Sequence, residues 1–265
     1  MLMRFAAVLF ASFAFVSAAC AEGADPKEET MHSLRPLIIQ DSMNVYRRFV
    51  PEQREAMVAF YEKVLGLKPL QPIDLGAGQQ MILFAIGGGQ VKLASGLKEG
   101  REYHLGGVND ATGIRSFTFF FPDEAALGER FEAMGYDAPA FEDIGDGRRG
   151  ALVQDPDGFW IELIVAPGAP AETFDKVEVG VNASDLAASR AFYRDFVGLD
   201  EAPPVKDPLL GVIKHPYSHG ATTINLWSEG EELPADTGSA GVQYVVNDIE
   251  TVDAWAKARE VTIET

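Results

Sequence analysis

Ala59-Phe60-Tyr61-Glu62-Lys63-Val64-Leu65-Gly66-Leu67 recurs 132 residues further on as Ala191-Phe192-Tyr193-Arg194-Asp195-Phe196-Val197-Gly198-Leu199. In both copies the apolar residues fall at helical spacing and the run stops at a glycine, the usual C-terminal cap. An alternating strand precedes each copy (45–50 and 177–181), and short strands ending in a hairpin follow. A weaker copy lies about 70 residues after the first, with a strand at 114–121, a helix at 123–134, a stop at Gly135 and a closing hairpin at 151–164. A fourth opens with a strand at 242–246 and a helix at 249–259. The chain therefore reads as four β-α-β-β-β units of the α+β class. The fourth unit stops at Thr265, short of its closing strands. Soluble proteins avoid open sheet edges, so the expectation is a chain cut short. The alternative is an edge covered by a partner, with a homodimer as the simplest case.

The best-defined turn is Asp155-Pro156-Asp157-Gly158, which runs into Phe159-Trp160-Ile161-Glu162-Leu163-Ile164. Pro156 presets φ and Gly158 accepts a positive φ, so a hairpin turn is predicted. Beyond it, alternation places Trp160, Glu162 and Ile164 on one face and Phe159, Ile161 and Leu163 on the other. A carboxylate on a half-buried strand is costly unless a cation, donor or metal answers it. Function thus turns on what faces Glu162.

The N-terminus reads as an export signal. Arg4 is the basic flank, 5–16 is a short apolar run, and Ala19-Cys20-Ala21 fits a small-residue cleavage site. About a dozen apolar residues is too short for a stable membrane span. Residues 1–21 are accordingly expected to be a signal peptide and 22–40 a linker, with a periplasmic or secreted product. A lipoprotein anchored at Cys20 is the runner-up. Cys20 is the only cysteine, so the fold has no disulfide and no thiolate zinc site. The net charge of −18 disfavours nucleic acid and anionic membranes, leaving small molecules as the expected partners. The expected domains are 41–168, holding two units, and 172–265, holding one complete unit and the opening of another.

The pairing of Phe-Tyr-x-x-x-Leu/Val-Gly-Leu with Asp-Pro-Asp-Gly-x-x-Ile-Glu-Leu resembles the vicinal oxygen chelate superfamily. That superfamily includes glyoxalase I, extradiol dioxygenases and bleomycin- and fosfomycin-resistance proteins. The resemblance covers 41–265 and implies tandem domains whose paired units form curled mixed sheets around a ligand cup. It also implies metal-ligand positions on the first and last strands of each unit. Here those positions hold Tyr46 and Lys92, Ser116 and Glu162, Glu178 and Asn225, and then Gly241. Glu162 and Glu178 alone match usual ligands, and an open catalytic site normally has about three. No metal site is therefore expected in the first domain, and no cofactor is predicted. A divalent metal in a completed second domain stays open.

The expected ligand-binding set is Tyr46, Arg48, Lys92, Ser116, Thr118, Trp160, Glu162, Glu178 and Asn225, with Glu162 the candidate catalytic group. Lys92, aided by Arg48, is expected to answer Glu162. His215 and His219 lie in His-Pro-Tyr-Ser-His-Gly, read as a rim loop because of Pro216 and Gly220. Gly87-Gly88-Gly89 lacks the Lys-Ser/Thr ending of a phosphate loop and reads as a hairpin connection. Two functions follow. The first is an exported small-molecule-binding protein, metal-free in its first domain. The other is a metal-dependent lyase, isomerase or dioxygenase.

Overall fold

The computed structural model describes residues 33–76, 79–230 and 232–261. The expected signal peptide (1–21) and most of the expected linker (22–40) lie outside the described residues. Unit one comprises β1 (Asn44–Phe49), α1 (Arg54–Ala59), β2 (Lys68–Pro69), β3 (Ile73–Gly76), β4 (Gln79–Ile86) and β5 (Gly89–Ser95). Unit two comprises β6 (Gly113–Phe121), α2 (Glu124–Ala133), β7 (Glu142–Gly145), β8 (Arg148–Gln154) and β9 (Trp160–Val165). Unit three comprises β10 (Val177–Asn182), α3 (Leu186–Ala191), β11 (Asp200–Glu201), β12 (Val205–Lys206), β13 (Ile213–His219) and β14 (Thr222–Trp227). Unit four contributes β15 (Ala240–Gln243) and α4 (Ile249–Ala258).

The repeated Phe-Tyr helix has an unpredicted form. Both copies begin as α-helix and then widen to π geometry, over Phe60–Val64 and Phe192–Val197. Leu65 N–H donates to the carbonyl of Phe60, and Gly198 N–H to that of Tyr193, each five residues back. Gly66 and Gly198 then turn left-handed at φ 75° and 82°, as the expected caps require. Asp123, Asp185 and Asp248 cap α2, α3 and α4, each accepting a backbone N–H three residues on.

Two mixed sheets result, one six-stranded (β15-β1-β5-β4-β2, with β3 beside β4) and one nine-stranded (β11-β13-β14-β10-β6-β9-β8-β7, with β12 beside β13). Within a unit the first and last strands pair in parallel, and units join antiparallel through their first strands. Units one and four share the smaller sheet and units two and three the larger, so both sheets cross the division expected between 168 and 172. The expected curl around a cup is corrected by this topology. Closure needs the outermost strands to pair, whereas each strand order is open and neither sheet closes or curls.

The core faces of both sheets meet in one cluster that includes Phe60, Tyr61, Phe117, Phe119, Ile161, Leu163 and Val179. Polar ties reinforce it. Arg47 is fully buried and binds Asp155 at 3.0 Å and Asp157 at 2.7 Å, joining β1 to the hairpin before β9. At the other end His219 Nε2 lies 2.6 Å from the carbonyl of Gln40, and Thr222 donates to that of Met43. The segment expected as a rim loop is strand β13. Pro216 falls between the short partners β11 (on 217–218) and β12 (on 213–214), where no ladder N–H is required.

Candidate functional site

Alternation turns one face of the nine-stranded sheet away from the core. Leu152, Glu162, Thr118, Glu178, Thr223 and Ser218 form a row across six strands. The neighbouring row is Trp160, Ser116, Gly180, Asn225 and Pro216. Six of the expected ligand-binding residues are thereby brought together, from units two and three. The strand neighbour of Glu162 is Thr118, two residues beyond Ser116, and that of Asn225 is Gly180, two beyond Glu178.

Glu162 is buried, and its Oε2 accepts from Thr118 Oγ1 at 2.6 Å and from Lys214 Nζ at 2.8 Å. Lys214 also contacts Asp207, whose other oxygen accepts the N–H groups of Leu209 (2.8 Å) and Leu210 (2.9 Å). The expected answer to Glu162 is corrected here. Lys92 and Arg48 lie in the other sheet, and Arg48 donates to the carbonyl of Gly96 at 2.6 Å. Lys214 and Asp207 were not singled out in the sequence. Their only signal is a buried-phase lysine following the apolar run Leu209-Leu210-Gly211-Val212-Ile213.

Elsewhere on the face, Asn225 Nδ2 donates to Glu178 at 2.5 Å, and the Trp160 indole donates to the carbonyl of Gly106 at 2.9 Å. The Ser116 hydroxyl is buried and has no partner among the described residues. A Cβ on Gly180 would sit 2.2 Å from that hydroxyl and 3.0 Å from the Trp227 ring, so only glycine fits there.

Burial pushes the Glu162 carboxyl up to about 7; attraction to Lys214 pulls it down, and repulsion from Asp207 adds to the rise. Burial alone would lower Lys214, but the two carboxylates outweigh it and hold the ammonium more firmly than usual. Burial would likewise raise Asp207, yet Lys214 holds it below the usual range. The stability consequence of Glu162 has a definite sign. Between an unfolded value near 4.5 and a folded value near 7 the native state keeps a proton that the unfolded chain has lost. Stability is therefore fullest below pH 4.5 and falls as pH rises towards 7, by roughly 3 kcal/mol in all. Urea midpoints of the wild type and Glu162→Gln, taken from pH 4.5 to 8, should diverge by that amount. Parallel curves would remove the raised carboxyl from the account.

The donor set does not fit a catalytic divalent ion. Thr118 and Lys214 occupy Glu162, Asn225 occupies Glu178, and Ser116 and Asn225 are weak ligands. Among the described residues no three His, Cys, Asp or Glu side chains are grouped to hold a metal. His215 and His219 are not a ligand pair, since His219 binds the Gln40 backbone. Among the described residues no helix is long and apolar enough to cross a membrane.

Paired β-α-β-β-β units carrying a polar sheet face define a class of small-molecule-binding folds. The sequence model of the glyoxalase/bleomycin resistance protein/dioxygenase superfamily matches residues 44–163, and that segment belongs to the superfamily. It is similar to a lactoylglutathione lyase from Pseudomonas aeruginosa, 26% identical over 129 residues that span 40% of this chain and 73% of the relative. A lactoylglutathione lyase from Pseudomonas putida is 39% identical over 64 residues, covering 23% of this chain and 35% of that protein. In three dimensions the chain resembles glyoxalase I from Zea mays, with a TM-score of 0.60 at 20% identity over 82% of this chain and 80% of that one.

Proposed function

We propose that this is an exported small-molecule-binding protein whose ligand sits on the polar face of the nine-stranded sheet, held by hydrogen bonds and charge rather than by a metal. One observation carries the reading: the Lys214 ammonium, 2.8 Å from Glu162, stands where a metal would need that carboxylate. Glu162, Asp207 and Glu178 oppose one ammonium, so the face favours a ligand that offers hydrogen-bond donors or positive charge. The half-buried Trp160 supplies flat apolar surface beside it, which suits a planar body. The export signal at 1–21 supports a periplasmic or secreted location.

Calorimetric titration of the full chain with zinc, nickel and manganese tests the choice. No stoichiometric binding is expected, whereas organic cations should quench tryptophan fluorescence, less so in Trp160→Phe. One tightly bound ion per chain, lost in Glu162→Ala, would instead establish the metal-dependent lyase, isomerase or dioxygenase reading.

A further inference from the structure

Units one and two hold a hairpin between them. The Tyr61 hydroxyl donates to Asp155 at 3.3 Å, the Val50 N–H donates to Asp157 at 3.2 Å, and Phe159 rests on Phe117 with ring centres 5.0 Å apart. Tyr61 also lies edge-on to Phe119. The repeat gives each of these receiving residues a counterpart in units three and four. The offset that relates the two Phe-Tyr helices carries Val50 to Asn182 and Tyr61 to Tyr193. Setting the helix caps Asp123 and Asp248 on each other carries Phe117 to Val242 and Phe119 to Tyr244.

All four counterparts line one cleft between α3 and β15, which encloses about 800 Å³ of space and is in part open to solvent. Among the described residues no hairpin fills it, and its phenols are left over. The Tyr244 hydroxyl is buried and has no hydrogen-bond partner among the described residues. Burial alone raises the Tyr193 hydroxyl, whereas at Tyr61 the Asp155 carboxylate adds to the rise. Tyr193 in turn raises Tyr244, so the two phenols stand close together. Buried hydroxyls without an acceptor are costly, and an incoming acceptor would relieve both. The counterpart of Arg47 is Val179, so this cleft meets an acceptor with phenols rather than with a guanidinium.

The strand beside the cleft adds a second, independent observation. β6 is flanked by β10 on one side and β9 on the other, whereas β15 pairs with β1 alone among the described residues. The Arg48 N–H donates to the Ser239 carbonyl, so the backbone groups of Ser239, Gly241 and Gln243 face β1 and those of Ala240 and Val242 face away. Those outward groups have no backbone partner among the described residues. Ala240 and Val242 also line the cleft. A strand added at this edge would send alternate side chains into it, as β9 sends Ile161 into the core beside Phe117.

We infer that this cleft and the outer edge of β15 form a docking site for a β-hairpin of a partner polypeptide, one that sets a turn aspartate against the Tyr193 and Tyr244 hydroxyls and runs its second strand parallel to β15. A second copy of this chain is not that partner. Its hairpin of this kind is already engaged, with Asp155 and Asp157 bound to its own buried Arg47. The site lies on the core side of the sheets, away from Glu162, and does not rest on the function given to that residue.

Fluorescence anisotropy of a labelled synthetic peptide with the sequence of residues 148–166, the chain's own hairpin of this kind, tests the site on the full chain. One peptide per chain is expected to bind, and a scrambled peptide of the same composition is not. Asp155→Ala in the peptide should weaken binding at least tenfold, and so should Tyr193→Phe/Tyr244→Phe in the protein. Thermal melts should show that double variant no less stable than the wild type, because it removes hydroxyls that lack an acceptor. Should it prove unfolded, Tyr193→Phe alone serves in its place. Hydrogen exchange at the Ala240 and Val242 amides should slow when the peptide binds. Absent binding, equal binding of the scrambled peptide, or affinity unmoved by Asp155→Ala or by the Tyr→Phe changes would overturn the site. Unprotected amides would overturn the part played by the β15 edge. Sedimentation equilibrium should give a monomer; a dimer that Tyr193→Phe/Tyr244→Phe dissociates would overturn the partner hairpin in favour of a second copy.

Discussion

Replacing Arg47 with methionine is expected to cost about 3–5 kcal/mol, the range for breaking a buried ion pair by removing one partner. The guanidinium is fully buried between Asp155 at 3.0 Å, Asp157 at 2.7 Å and the carbonyl of Ser239 at 3.2 Å, and it lies 4.9 Å from the centre of the Phe159 ring. It thereby ties strand β1 of unit one to the hairpin of unit two and to the approach to β15 in unit four. Asp155 is itself the organiser of that hairpin, accepting the N–H groups of Asp157 and Phe159 at 3.0 Å each and the Tyr61 hydroxyl at 3.3 Å. Without Arg47 two carboxylates would face each other in a dry interface with nothing to balance them. Urea denaturation of Arg47→Met gives the cost directly. The double variant Arg47→Met/Asp155→Asn should recover part of it, because the penalty lies in the stranded charge. A loss below about 1 kcal/mol would mean that water reaches these carboxylates and the tie is peripheral.

That tie shows where the sequence was legible and where it was not. Arg47 and Arg48 are adjacent on a strand, so alternation forces them to opposite faces, and one must enter the core and need a counter-ion. The Asp-Pro-Asp-Gly turn was recognised from its own residues, with Gly158 at φ 89° as required, but its carboxylates read as turn chemistry rather than as that counter-ion. Local periodicity likewise placed the helices and most strands correctly, since spacing and caps are properties of a single segment.

Two further features escaped for physical reasons. Alternation fixes a strand's face but is blind to a slip of two residues: the resemblance matches Ser116 with Glu162 as ligand positions, whereas the strand neighbour of Glu162 is Thr118. The repeat defines each unit, yet which unit shares a sheet with which is settled by hydrogen bonds between first strands far apart in the chain. Because units two and three join, a lysine from unit three reaches Glu162, and Lys92 is left on the other sheet.

The same cluster yields the other large effect. Lys214→Met should destabilise the protein by about 3–5 kcal/mol at pH 8, where Glu162 must either stay ionised beside Asp207 with no cation between them or hold a proton against the solution pH. The cost should shrink towards pH 5. Glu162 already sits at about 7 because of burial, and removing the attraction that opposes the rise moves it higher still. Once protonated it becomes a neutral group able to donate a hydrogen bond, and Asp207 keeps the two backbone N–H groups that hold it. The variant therefore approaches the wild type as pH falls, whereas a loss caused only by missing side-chain packing would be the same at every pH. Denaturation curves of Lys214→Met and of Lys214→Met/Glu162→Gln at pH 5 and pH 8 separate the two causes. If charge is the cause, the double variant is the more stable of the pair at pH 8 and the two converge at pH 5. A pH-independent gap would mean that the lysine contributes its hydrocarbon stem and that Glu162 tolerates its charge alone. The face would then have to be read as a site in which the carboxylate, unneutralised, is free to meet a cationic ligand directly.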